Sequence, residues 1–286
     1  MTSSSVSSIT EQPAAMNGKG READELVDDS APLSKKARLG AGGKELPELY
    51  KSTGNEMKDR LAFMHMLENL KTQKRSGWIR EGVQQPESIA DHMYRMAMLC
   101  MLIPIQNTEK PLDIGRCVQM ALVHDLAEAH VGDITPVEGV SPEMKHKLEQ
   151  EAMNSFLSEM LGGDGCREAR ERILSLWDEY EARETPEAKL VKDLDRIELI
   201  LQAIEYERSQ DVRSLAPFFT GSIPHLHHPA VREWAEALLE ERKALWEARG
   251  LGAEEQEGIK GLKVGSKVDA AAPAAASQAP TNGHAV

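Results

Sequence analysis

The chain has 286 residues, 41% of them hydrophobic but only 4% aromatic, so the core of one sizeable domain must be built from Leu, Ile, Val, Ala and the 13 Met. A net charge of −13, from 34 Lys+Arg against 47 Asp+Glu, disfavours a nucleic-acid polymer as partner. No apolar run reaches the ~18 residues of a membrane span, and MTSSSVSSIT has no apolar signal core, so no membrane partner and a cytoplasmic or nuclear location are expected. Cys100, Cys117 and Cys166 show no CxxC spacing, which argues against a disulfide scaffold or a cysteine zinc site.

In chain order, residues 1–50 are rich in Ser, Gly, Ala and charge, and are expected to be a disordered tail. Residues 51–252 read as one domain, and 253–286, with its AAAPAAASQAP run, as a second disordered tail. The domain has no strand alternation. Apolar spacing predicts helices over 57–72, 87–103, 113–131, 142–161, 166–183, 186–208 and 229–249. Pro86-Glu87, Pro142-Glu143 and Pro186-Glu187 mark helix starts, with Ser141 and Thr185 as N-caps. Gly162-Gly163 and Gly250 stop two of the helices. The expected fold is all-α, a compact bundle of about seven helices.

The predicted helix around ALVHDLAEAHVGD carries the chemistry. At about 100° per residue, His124, Asp125 and Glu128 fall on one arc beside the small Ala121. An acid–imidazole cluster on an apolar helix is costly to bury unless a cation compensates it. His92 shares a face with Ile89, Met96 and Leu99 and points into the core. Downstream, KLVKDLDRIELILQAIEYE carries Asp193 and Asp195; the helical wheel does not choose between them. One His, a His-Asp pair and a distant Asp give a nitrogen–oxygen ligand set for one divalent cation. His130 and His146 are expected at the surface, and His225, His227 and His228 in a solvated loop.

Three segments carry a resemblance: KRSGWIREGVQQPESIADHMYRMA (74–97), ALVHDLAEAHVGDITP (121–136) and AKLVKDLDRIELILQAIEYE (188–207). They resemble the HD-domain phosphohydrolases, and more closely the 5′-deoxynucleotidase branch and its HD-domain-containing protein 2 group. The resemblance spans about Leu61 to Arg242. It implies an HD-domain helical bundle with His92, His124, Asp125 and Asp195 as metal ligands; the family pattern K-x-LD-x-x-E selects Asp195. Glu128 matches an acid essential to turnover and Asp133 a second motif acid. Glu128, Asp133 and the carbonyl of Ile134 are implied to hold a second cation. Arg75 sits where the family contacts phosphate, and Trp78 near an aromatic that packs by the nucleotide. Arg80 and Arg95 are further phosphate candidates.

The function so implied is metal-dependent hydrolysis of deoxyribonucleoside 5′-monophosphates by a homodimer. The cofactor is a divalent cation such as Mn2+, Co2+ or Mg2+, the donor set admitting several metals. Arg75, Arg80 and Arg95 are the few cations near the motifs, and with the net charge they favour monophosphates over triphosphates. The alternatives are an HD phosphohydrolase for cyclic, triphosphate or guanosine tetraphosphate substrates, and a non-catalytic metabolite-binding module.

Overall fold

A computed structural model describes residues 39–104, 111–210, 212, 214–250, 259 and 261–267. Among them there are eleven α-helices and no β-strand, only the isolated bridges Leu39–Glu45 and Lys74–Ser88. The helices are α1 (Glu56–Met66), α2 (Glu68–Thr72), α3 (Ser76–Arg80), α4 (Ile89–Cys100), α5 (Ile114–Ala121), α6 (Glu128–Val131), α7 (Pro142–Ser155), α8 (Arg167–Ala182), α9 (Pro186–Ser209), α10 (Ala216–Ser222) and α11 (Pro229–Ala248). None is long and apolar enough to cross a membrane.

Helix starts follow side-chain chemistry. The Ser141 and Thr185 hydroxyls accept from Met144 N at 3.2 Å and Ala188 N at 3.1 Å, with Pro next in line at both. At α4 the expected start is displaced. Ser88 and Asp91 form a reciprocal capping box and the helix begins at Ile89, leaving Pro86 and Glu87 outside. Glu87 turns inward instead: its carboxylate accepts from Trp78 Nε1 at 2.8 Å and its N–H donates to the Tyr206 hydroxyl at 2.8 Å.

The single helix expected over 113–131 is two. After Ala121 the chain tightens into successive turns, with Leu126 N bonding Val123 O, Glu128 N bonding Asp125 O and Ala129 N bonding Leu126 O. The His124 ring donates from Nδ1 to Ala121 O at 2.9 Å, satisfying a carbonyl at the end of α5. The short α3 and α10, absent from the expected list, are each under two turns long.

α9 is the axis of the bundle and packs against α4, α5, α8, α10 and α11. Its Leu190, Leu194, Ile197, Ile200 and Ile204 are buried in a main apolar cluster with Met96, Met120, Phe219 and Val231. A second cluster, with Ile89, Met93, Leu126, Leu148 and Phe156, lies where α4 and α6 meet α7. Val123 packs against both, so the His124–Asp125 turn sits at their seam.

Residues 1–38 and 268–286 of the expected tails lie outside the described residues. The described stretches beside them are packed. Ala41, Leu46 and Tyr50 lie against the second cluster, and Gly42 N donates to Glu138 Oε2 at 2.9 Å. Ile259, Leu262 and Val264 cover the main cluster, and Gly265 N bonds Ile223 O at 3.1 Å. Scattered apolar residues with no period carry no helix or strand signal; they gain order only from the surface they meet.

Candidate active site

His92 comes from α4, His124 and Asp125 from the turn after α5, and Asp195 from α9. His92 Nε2 lies 3.2 Å from Asp195 Oδ1 and 3.9 Å from Asp125 Oδ2; His124 Nε2 lies 3.2 Å from the same Asp125 oxygen. Both imidazoles are buried, and both Nε2 atoms lack a hydrogen-bond partner among the described residues. Their Nδ1 atoms are already engaged, His124 with Ala121 O and His92 with Glu198 Oε2. Each ring is thus pinned through one nitrogen and turns a bare one toward two carboxylates. A buried nitrogen without a partner is expensive, and a cation at this point would satisfy both rings. The residues fit a divalent metal with nitrogen and oxygen ligands; His92, His124 and Asp125 offer ligand atoms within 4.8 Å of one another.

An outer layer holds the ligands. Glu198 is fully buried and accepts from Arg95 Nε at 2.7 Å. Arg95 also reaches Glu205 at 2.7 Å and Gln202 at 2.6 Å. Arg95 therefore buttresses His92 through Glu198 and is absent from the cleft, which removes it as a phosphate contact. Burial pushes Glu198 up, but His92 and Arg95 outweigh it and hold the carboxyl below its ordinary range. Asp195 Oδ2 takes Lys192 Nζ at 2.7 Å and the Tyr180 hydroxyl at 3.2 Å, leaving Oδ1 toward His92. Burial raises Asp195 and Asp125; Lys192 and the histidines for the first, and His124 and Arg75 for the second, win and keep both ionised. Glu87, His92 and Glu198 form a second close group. Its carboxylates are taken by Trp78, His92 and Arg95, so it orients His92.

His124, Asp125 and Asp195 line a cavity of about 730 Å³, with His92 buried behind them. Arg75 Nη1 stands 3.4 Å from Asp125 Oδ2 and 3.7 Å from Asp133 Oδ1, while Asp133 Oδ2 accepts from Ser76 N at 2.7 Å. Glu128 is 2% exposed, its Oε2 without a hydrogen-bond partner among the described residues. Burial first, then Asp125 and Asp133, push its carboxyl well above the ordinary range. Ile134 is buried at the same wall. Arg80 lines the rim and bonds Thr135 Oγ1 at 3.2 Å.

The remaining candidates divide. Trp78 is buried, its ring packed on Phe218 at 4.4 Å and Tyr206 at 5.3 Å, and both it and the half-buried Phe218 line the cavity. Asp193 points away: its Oδ2 accepts from the backbone N–H groups of His227 at 2.7 Å and His228 at 2.6 Å, tying down the histidine loop. His225, from that loop, lines the cavity. His146 is not a surface group; it pairs with Glu181 at 3.1 Å and stacks on Trp177. His130 is half-buried. The cleft is also far richer in cations than the motif segments suggest. Asp125, Glu128, Asp133, Glu149, Glu181 and Asp195 are matched there by Arg75, Arg80, Lys145, Arg183, Lys192 and Arg196. Lys145 from α7 and Arg183 from the link between α8 and α9 lie outside the three motif segments, whereas Lys192 and Arg196 of α9 lie within the third. Of the supporting groups, Lys192 and Glu198 stand at the ends of K-x-LD-x-x-E, whereas Tyr180 and Lys145 have no sequence signal of their own.

Residues 67–230, more than half of the chain, match the family described as HD domain. The chain belongs to the HD-domain family. Within the matched residues, the adjacent His124 and Asp125 lie beside His92 and Asp195. Over 184 residues the chain is 45% identical to the 5′-deoxynucleotidase hdd1 of Schizosaccharomyces pombe, covering 64% of this chain and 90% of that one. It is 39% identical over 191 residues to the Homo sapiens 5′-deoxynucleotidase HDDC2, covering 66% and 89%. Among solved structures, the PH0347 protein from Pyrococcus horikoshii OT3 superimposes with a TM-score of 0.50 at 30% identity, covering 65% of this chain and 99% of that one.

Proposed function

We propose that this HD-domain protein is a metal-dependent 5′-deoxynucleotidase, converting deoxyribonucleoside 5′-monophosphates to deoxynucleoside and phosphate. The observation that carries the reading is the pair of bare, buried imidazole nitrogens facing two ionised carboxylates on the wall of an open cleft. The relatives named 5′-deoxynucleotidase align over about nine-tenths of their length, which supports the substrate class.

His92, His124, Asp125 and Asp195 would hold the cation. When bound, a divalent metal supplies Lewis acidity toward a phosphoryl oxygen and makes water a better nucleophile near neutral pH. Arg75, paired to Asp125 and Asp133 at 3.4 and 3.7 Å, can fork onto phosphoryl oxygens as they enter. Burial and its acidic neighbours raise the affinity of the Glu128 carboxyl for a proton. It is placed to give that proton from Oε2 to the sugar 5′-oxygen as the P–O bond breaks. Phe218, Leu199 and Pro217 in the cavity lining offer apolar surface to the nucleoside. The resemblance also makes Glu128, Asp133 and the Ile134 carbonyl a second cation set; metal bound per chain, measured by elemental analysis, decides between one ion and two. A homodimer and a cytoplasmic or nuclear location are proposals from the same resemblance, the first tested by light scattering.

The substrate claim is tested by comparing phosphate release from dAMP, AMP, 3′-dAMP and dATP at fixed Mn2+ or Co2+. The reading expects dAMP to be fastest. Equal rates for AMP and dAMP, or faster release from dATP, overturn the substrate class. Asp125→Ala tests the metal claim separately: it should lose bound metal and turnover together, and a variant with full metal content would remove Asp125 from the ligand set.

A further inference from the structure

A phosphomonoester arrives at the cleft as a dianion, and so far only Arg75 has been assigned to meet it. A second cation lies beside the neighbouring acids of the same cavity. α7 opens at the cleft edge, where Pro142 and Lys145 both line the cavity. Lys145 Nζ lies 3.6 Å from Glu128 Oε1 and 3.3 Å from Glu149 Oε1. Both separations exceed the ~2.7–2.9 Å of a charge-assisted hydrogen bond, so the ammonium is attracted to the two acids without being locked to either. Its side chain keeps 34% exposure against 3% for Glu128 and 14% for Glu149, so the lysine is the member of this group that reaches open space. Arg75 and Lys145 both feel the charges of Asp125, Glu128 and Asp133. They come from different elements, one from the α2–α3 link and one from α7, and both line the cavity. An i,i+4 lysine–glutamate pair that served only the helix would belong on a solvated face; this one is turned into the cavity.

We propose that Lys145 is a substrate-contacting residue, a second cation that takes a phosphoryl oxygen together with Arg75 and leaves Glu128 as the phosphate enters. The proposal rests on the phosphomonoesterase reading of the cleft. It assigns the acid Glu128 and the lysine beside it to one event. While the site is free of phosphate the ammonium faces Glu128 and Glu149, and with phosphate bound it balances the dianion.

The test is binding of inorganic phosphate to the full-length, metal-loaded protein by calorimetry, for the wild type, Lys145→Met and Lys145→Arg. The methionine variant should weaken phosphate binding on the order of 10-fold or more, as for loss of a hydrogen bond to a charged group. The arginine variant should stay within about 3-fold, less than half a decade of affinity. Unchanged phosphate affinity in Lys145→Met, even with a lower kcat for dAMP, would make the lysine a positioning residue for Glu128 and overturn the proposal. A second measurement needs no variant: phosphate should protect Lys145 of the wild type from acetylation by acetic anhydride, read by mass spectrometry, and equal labelling with and without phosphate also overturns it. Wild-type dAMP turnover and phosphate binding separate the two levels of failure. If both are present while Lys145→Met binds normally, only the lysine assignment falls. If both are absent, the nucleotidase reading falls with it.

Discussion

Glu198→Gln tests whether the metal site is held from behind. Glu198 has no exposed surface, receives His92 Nδ1 on one oxygen and Arg95 Nε on the other, and is ionised because those two neighbours outweigh its burial. Glutamine keeps the volume and can still offer one oxygen, but it removes the charge that makes the far nitrogen of His92 a strong donor to a cation. Loss of such an outer partner typically costs 10- to 100-fold in metal affinity, or about 1.4–2.7 kcal/mol. The fold should suffer less than for an ordinary broken buried pair. Arg95 is 25% exposed and keeps Glu205 and Gln202, so its guanidinium is not stranded. A stability loss of about 1–2 kcal/mol is expected rather than the ~3–5 of an uncompensated charge. The assay is competition for Mn2+ or Co2+ with a chelator, run beside chemical denaturation of the metal-free protein. Arg95→Ala should move metal affinity in the same direction. Wild-type affinity in Glu198→Gln would refute the reasoning, since His92 would then need no carboxylate behind it.

Three further outcomes follow from the packing. A chain starting at residue 39 should match the full-length protein, whereas one starting at 51 loses the Gly42–Glu138 bond and the contact of Ala41 with Gly132, next to Asp133; kcat/KM should fall by roughly 10-fold from misplacement of that loop, and equal values would show the strap is passive. Glu207→Ala removes the carboxylate that binds the 1%-exposed Arg242 at 2.8 Å through both Nε and Nη2, leaving it Ser214 and the Phe219 and Trp246 rings, and also frees Leu215 N and Trp246 Nε1; denaturation should show a loss of about 3 kcal/mol, and a loss under about 1 kcal/mol would assign the charge balance elsewhere. Asp59 is held below its ordinary range by Ser52, Thr53 and Tyr50; a lowered folded pKa contributes stability above about pH 4 that is lost as pH falls through the folded value, so Asp59→Asn should flatten the acid limb of Tm against pH, and an unaltered limb would assign acid lability elsewhere.

Most of the helical framework was legible because its signals are local. Ser141-Pro142-Glu143 and Thr185-Pro186-Glu187 carry cap, proline and acid within three residues, and both helices begin there. The errors arose where tertiary contacts decide. Glu87 looks like a first-turn acid but is drawn inward by Trp78 and Tyr206, so Ser88 becomes the cap. The apolar period runs through 113–131, yet the His124 ring takes the Ala121 carbonyl and the backbone tightens into turns. The expected common arc of His124, Asp125 and Glu128 nonetheless holds at the level that matters, since all three line the cleft.

The site residues were readable in proportion to how much of their role is chemical. His92, His124, Asp125 and Asp195 meet as the motif order H…HD…D requires, since a ligand's residue type is dictated by the ion. Groups that act by charge at a distance were not readable. The chain's −13 counts against triphosphates, but the potential a substrate meets is set by the groups facing the cleft, and there six acids confront six Lys and Arg. Each divalent cation bound there adds two positive charges to that lining, the charge of one phosphomonoester dianion. A second ion would add two more. The choice between monophosphate and triphosphate thus depends on how many ions the cleft binds, a quantity the chain's overall charge does not contain.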